Sequence, residues 1–243
     1  PEETLELNYH ATRMIASICK YHQINRFIFA STCSVYGESP SPETLLTEES
    51  ELNPVSLYAR TNIKSEQALR ELEDETFSPT MFRMATLYGY SPRMRFDLVV
   101  NILTAKAHHE NVVPIFGGEQ YRPNLHVRDA ARAYAECLEA PIEDVGGEVF
   151  NVGSNEQNYQ ISEVGEIIAG CFPDADIDWQ REKEDERSYQ VDFSKIERVL
   201  DYEVEETIAG AAEEIKERLE AGEFGDYTDD KYSNYRTIEQ ESD

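Results

Sequence analysis

Tyr58 opens a helical stretch, LYARTNIKSEQAL (Leu57–Leu69), with Asn62 one turn later on the same face. A tyrosine ionises near pH 10, so it removes a proton near neutrality only if a nearby cation stabilises the phenolate. A lysine four residues on would do so: at roughly 5 Å and an effective dielectric of about 20, its charge is worth on the order of 3 kcal/mol, or about two pKa units. Asn62 cannot supply that charge. Lys64, six residues after Tyr58, lies about 120° round the helix at ~100° per residue and points elsewhere. On its own, Tyr58 reads either as a base short of its cation or as a half-buried helix aromatic.

The elements around it follow from hydrophobic spacing. Residues 3–22 place Ala11, Met14, Ile15, Ile18 and Cys19 at helical intervals, which predicts an amphipathic helix with one buried face. RFIFAS (Arg26–Ser31) is a short apolar run without polar alternation, as in a parallel strand covered on both faces. The Pro-, Ser- and Glu-rich residues 36–56 predict a long loop, which in a compact domain is usually functional. The Tyr58 helix follows, then TMFRMATLYG (Thr80–Gly89) as a further buried strand, so helix and strand alternate as in an α/β sheet. Beyond it, residues 111–127 predict two short strands around Gly117-Gly118. Residues 128–140 predict a helix, GEVFNVGS (Gly147–Ser154) a strand, and DIDWQ (Asp176–Gln180) a strand between two helices. Residues 224–243 read as a polar, loosely held end.

Composition excludes several classes. Of 243 residues, 49 are Asp or Glu and 22 are Lys or Arg, a formal net charge of −27 that repels nucleic acid and anionic membranes. Acid spread so widely resembles proteins adapted to concentrated salt, where screening relieves self-repulsion. Four scattered cysteines without a CxxC pair and five histidines without ligand spacing predict reduced thiols and no metal. No apolar run approaches the ~20 residues of a membrane span, and PEETLELNYH lacks the order of a signal peptide, so the expected location is cytoplasmic.

Three pieces in order, FIFASTCSVYG (Phe27–Gly37), NPVSLYARTN (Asn53–Asn62) and GGEQYRPNLHVRDAARAY (Gly117–Tyr134), resemble the extended short-chain dehydrogenase/reductase family. Within it the likeness is to NAD-dependent nucleotide-sugar epimerases and dehydratases. The resemblance implies a Rossmann-type parallel sheet with a smaller α/β substrate-binding domain, NAD as cofactor and a nucleotide-diphosphate sugar as substrate. It places residues 1–89 in the NAD-binding domain and 90–243 in the substrate region, with 126–153 returning to the Rossmann sheet. It makes Thr32 the hydroxyl residue, Tyr58 the base and Asn62 the occupant of the lysine position. Asn8, Tyr58, Asn62 and Met84 fall at cofactor positions. Cys33, Ser34, Thr86, Asn101, Phe116, Arg122 and Arg187 fall at substrate positions. Arg187 reads equally as a surface ion pair, Phe116 as a core phenylalanine, and Cys33 as a small buried hydrophobe. Cys33 and Ser34 stand where 4,6-dehydratases of this family carry an acid, which favours epimerase-like chemistry, the oxidation and re-reduction of a sugar hydroxyl.

The family opens with a strand, a Gly-rich turn and a helix that receives the dinucleotide diphosphate. The twelve glycines here form no GxGxxG. The expectation is therefore a partial Rossmann sheet lacking its N-terminal βα units, with exposed apolar surface and an unpaired edge at FIFAS. Three readings follow: an epimerase whose upstream portion lies elsewhere, a noncatalytic nucleotide-sugar-binding fragment, or an interaction subunit that completes another chain's sheet. A homodimer is implied by resemblance alone.

Overall fold

The computed structural model describes residues 2–39, 41, 43–180 and 188–234. Its centre is a parallel sheet of three strands, β1 (Arg26–Thr32), β3 (Ser78–Met84) and β7 (Val149–Val152), in the order β1-β3-β7. Their C-terminal ends align, with Thr32 paired to Met84 and Met84 to Val152.

On one face lie α1 (Glu2–Leu5), a π-turn over Glu6–His10, α2 (Ala11–Tyr21) and α3 (Leu57–Leu72). There Ala16, Leu69, Phe77, Met81 and Val149 form a small core. The other face is covered by α5 (Val127–Glu139), α6 (Ile142–Val145) and α8 (Ser194–Leu200), with Phe82, Phe150, Ala133, Cys137 and Ile196 among the residues packed there. Helix α3 starts where the Ser56 hydroxyl accepts from Ala59 N at 3.1 Å, which fixes the turn that carries Tyr58.

The first helix departs from expectation. Its apolar stripe is not buried: Met14, Ile15 and Ile18 are 60%, 49% and 51% exposed. The side of the helix that meets the protein is instead the one bearing Ala16, and among the described residues β1 has a sheet neighbour on one side only. Periodicity located the sticky face correctly but not its cover.

Residues 80–89 form two strands rather than one. The chain turns at Ala85, and β4 (Thr86–Tyr88) joins a second sheet with β6 (Tyr121–His126) and β8 (Asn158–Gln160), in which β6 and β8 run antiparallel. The strands flanking Gly117-Gly118 exist but do not pair with each other, because β5 (Val112–Phe116) runs parallel to β9 (Asp176–Gln180). The predicted long loop contains β2 (Leu45–Leu46), which pairs in parallel with β10 (Gln190–Val191).

Helices α4 (Val99–Glu110), α7 (Ile161–Cys171) and α9 (Ile208–Glu220) enclose a second core around Val100, Leu103, Val164, Ile168 and Ala212. Residues 224–232 are held, contrary to their polar reading: Phe224, Tyr227 and Tyr232 pack around Phe96.

Candidate active site

The C-terminal ends of parallel strands leave a crevice where backbone and side chains of successive βα connections converge. Thr32 closes β1 there, and its Oγ1 accepts from Ser34 N at 3.1 Å as the chain enters a 3-10 turn over Cys33–Tyr36. Gly37 ends that turn at φ 68°; a side chain there would strike the Asn53 carbonyl oxygen, so Asn53, shortly before α3, sits tightly against the turn.

The Thr32 hydroxyl lies near enough to the Tyr58 hydroxyl to favour its ionised form. The tyrosine is 48% exposed overall. Partial burial raises its ionisation above the ordinary tyrosine value; the Thr32 hydroxyl, the Arg95 charge and the Asn62 amide each pull it back, in that order. Asn62 is buried, and its Nδ2 donates to the Tyr58 carbonyl at 2.9 Å. Lys64 is exposed on another side of the helix. Met84, buried at the end of β3, lies beside Thr32 in the sheet. Asn8 sits in the π-turn and binds α3 directly: its Nδ2 donates to Thr61 Oγ1 at 3.3 Å, and its carbonyl accepts from Ser65 Oγ at 2.7 Å. Thr32, Tyr58, Asn62, Met84 and Asn8 thus share one neighbourhood.

Cys33 is buried, with Sγ donating to the Arg83 carbonyl at 3.1 Å; burial raises its thiol far above the usual range, and the nearby Arg83 charge only partly offsets this. It packs as a small hydrophobe. Ser34 stays partly accessible.

Of the remaining substrate positions, Thr86, Phe116 and Arg122 lie on the other strands and Asn101 on α4. Thr86 opens β4 opposite Asn124. Arg122, nearly buried on β6, donates to the Tyr121 carbonyl at 2.8 Å and stacks over the Tyr189 ring with 5.5 Å to its centroid. Phe116 ends β5 and is 41% exposed, so it is not a core residue. Asn101 is buried with its amide committed to backbone: Oδ1 accepts from Gly89 N at 3.0 Å and Nδ2 donates to the Arg95 carbonyl at 2.9 Å. Arg187 lies outside the described residues.

Two features were missed by reasoning from sequence. Glu66 and Arg83 form a buried ion pair, with Nη2–Oε2 at 2.7 Å and Nε–Oε1 at 3.1 Å. Ser31 Oγ also donates to Glu66, while Arg83 Nη1 donates to Tyr36 OH at 3.0 Å and to the Glu48 carbonyl at 3.1 Å. Tyr36 OH donates on to Asn151 Oδ1 at 2.7 Å, so β1, the turn after it, α3, β3 and β7 are tied beneath the Thr32–Tyr58 pair. The signals were present: Arg83 stands in the middle of an apolar strand, and Glu66 lies one turn past Asn62. The second feature is Arg95, whose charge acts to lower the Tyr58 ionisation, an effect that no local spacing reveals.

Among the described residues no cluster of His, Cys, Asp and Glu could hold a metal, and no helix is long and apolar enough to cross a membrane.

Residues 1–153 match the model of the NAD dependent epimerase/dehydratase family. A Bacillus subtilis (strain 168) protein described as an uncharacterized UDP-glucose epimerase, YtcB, is 30% identical over 152 residues, covering 62% of this chain and 46% of the relative. The dTDP-glucose 4,6-dehydratase 1 of Escherichia coli (strain K12) is 26% identical over 200 residues, covering 75% of this chain and 54% of the relative. The chain spans about half the length of these curated relatives. The solved dTDP-glucose 4,6-dehydratase from Bacillus anthracis str. Ames, in complex with NAD, superposes with a TM-score of 0.76 at 22% identity over 90% of this chain and 69% of that one. The likeness shows that the α/β architecture is the Rossmann-type fold of such enzymes.

Proposed function

The chain belongs to the NAD dependent epimerase/dehydratase family, and from that premise we propose that it carries the substrate side of a nucleotide-sugar epimerase site. The observation that carries this reading is the hydroxyl pair Thr32–Tyr58 at the C-terminal end of the parallel sheet. Tyr58 takes the proton from a sugar hydroxyl and returns it, with Thr32 orienting that hydroxyl. Arg122, stacked on Tyr189, holds the nucleotide diphosphate against the repulsion of an acidic protein. Thr86 and Phe116 border the sugar and base. The division into a sheet side (1–89 with 126–153) and a nucleotide-sugar side (the rest of 90–243) belongs to this reading. Elimination of water is disfavoured, because Cys33 and Ser34 follow Thr32 where a dehydratase needs an acid.

NAD, when bound to such a site, accepts and returns the sugar's hydride. Thr32, Tyr58, Asn62 and Met84 suit its nicotinamide end. For its diphosphate, the described residues offer no Gly-rich turn leading from a strand into a helix N-terminus. Fit is therefore partial, and this chain alone supports the proton transfer rather than the hydride transfer.

Calorimetric titration with UDP-glucose, in molar KCl to screen the −27 charge, tests the reading. Binding that weakens at least tenfold in Arg122→Ala is expected; no heat from the folded chain would reject a nucleotide-sugar site. The open edge of β1 favours a second reading, in which further polypeptide completes the sheet. Titration with NAD separates the two: micromolar binding means that association rebuilds the dinucleotide site, and its absence beside UDP-glucose binding means a nucleotide-sugar-binding module.

A further inference from the structure

Helix α2 carries a face that the described chain leaves open. Met14, Ile18 and Tyr21 stand one turn apart along it and are 60%, 51% and 83% exposed. With His10, Arg13 and His22 beside them they line a shallow open cleft of about 490 Å3, while the buried Ala16 faces the other way. Apolar knobs at this spacing are what the ridge of a second helix packs against.

The charge on this face is the reverse of the charge on the whole. Residues 7–26 contain no Asp or Glu, in a chain that has 49. Lys20 and Arg26 are already committed: Lys20 pairs with Asp74 at 2.6 Å, and Arg26 donates to the Cys137 and Ala140 carbonyls. Arg13 is exposed and forms no ion pair among the described residues, and the exposed His10 and His22 lie one turn before Met14 and one turn after Ile18. Charge therefore distinguishes between occupants. A second copy laid antiparallel across the same face, about a twofold axis at Met14, sets Arg13 beside Arg13 with no carboxylate between them. A helix with carboxylates flanking its ridge meets Arg13 with the opposite charge, and the net −27 of the chain repels that helix from the rest of the surface.

We propose that this face of α2 is a docking site for an acidic amphipathic helix of another polypeptide, its apolar ridge on Met14, Ile18 and Tyr21 and its carboxylates toward Arg13, His10 and His22. The proposal does not depend on the reading of Tyr58.

The probe is a fluorescein-labelled synthetic helix of three heptads, with leucine along the ridge and glutamate on both flanks. It is titrated with the whole chain and followed by anisotropy, at the lowest KCl at which circular dichroism shows the chain folded. Binding is expected, weakened about tenfold or more by Ile18→Asp and about threefold or more by Arg13→Glu, with most of it kept in Arg13→Lys. Added KCl should close the gap between Arg13→Glu and the parent while leaving that of Ile18→Asp. Both positions are exposed, so neither substitution disturbs the core, and the same dichroism spectrum checks the fold of each variant. A glutamate helix that does not bind, or that binds the parent and Ile18→Asp alike, overturns the proposal. So does a chain that sediments alone as a dimer and in Ile18→Asp as a monomer, which would assign the face to a second copy.

Discussion

Two amphipathic helices with similar patterns meet opposite fates in this molecule. Helix α7 turns Val164 and Ile168 into a closed core against β5, α4 and α9. Helix α2 turns Met14, Ile15 and Ile18 outward, beside the strand β1 whose other edge has no partner among the described residues. The apolar stripe is equally legible in both. What differs is the presence of a second surface, and a stripe contributes to stability only through the area it removes from water.

The largest effect should come from the polar tie that holds the open side together. Glu66→Ala leaves the buried Arg83 guanidinium unpaired and should cost about 3–5 kcal/mol by urea unfolding. Hydrogen exchange should then accelerate in β1, β3 and α3 while the amides of α7 and α9 keep their protection. Uniform acceleration would mean that the two regions unfold as one unit, and the contrast would be lost.

Truncation of the two stripes sharpens the comparison directly. Ile168→Ala should cost about 2–5 kcal/mol, because its methylenes leave a cavity. Ile18→Ala should stay within about 0.5 kcal/mol. A cost above about 1 kcal/mol at Ile18 would mean that the α2 stripe is covered in solution, by association or by further chain.

The third comparison is alkaline, and for a single side chain over one pH unit its effect is smaller than either large one above. Burial pushes Tyr134 up to about 12, and it also raises Tyr36 and Tyr88, one in each core. Above about pH 10 the unfolded chain gives up these protons while the folded chain keeps them. Stability is therefore undiminished below about pH 10 and falls by about 1.4 kcal/mol per pH unit for each such tyrosine as pH rises toward 12. Tyr134→Phe should remove one tyrosine's share of that slope in urea titrations between pH 9 and 11; an unchanged slope would place Tyr134 in contact with solvent.

Much of the site could be read from the chain. Thr32, Tyr58 and Asn62 lie in short motifs whose spacing alone puts them at a strand end and on one helix turn, and the structure brings them together with Met84. Cys33 is a packing residue, as its type suggested. The resemblance put Asn101 at a substrate position, but its amide is spent on Gly89 and Arg95, a use that depends on how the chain returns after β4. The break at Ala85 was invisible because residues 80–89 are uniformly apolar, and a run of that kind does not say which sheet each half will join. The strand at Leu45–Leu46 exists only because β10, some 145 positions later, lies beside it.

The sequence by itself determined the α/β alternation and the placement of Tyr58 and Asn62 one turn apart on one helix, because these rest on residue type and on spacing within a single helix or strand. The tertiary structure alone decided which side of α2 meets the protein and that Glu66 and Arg83 tie five elements together. Each of these is a contact between residues far apart in the chain, and local periodicity carries no information about which distant surface arrives.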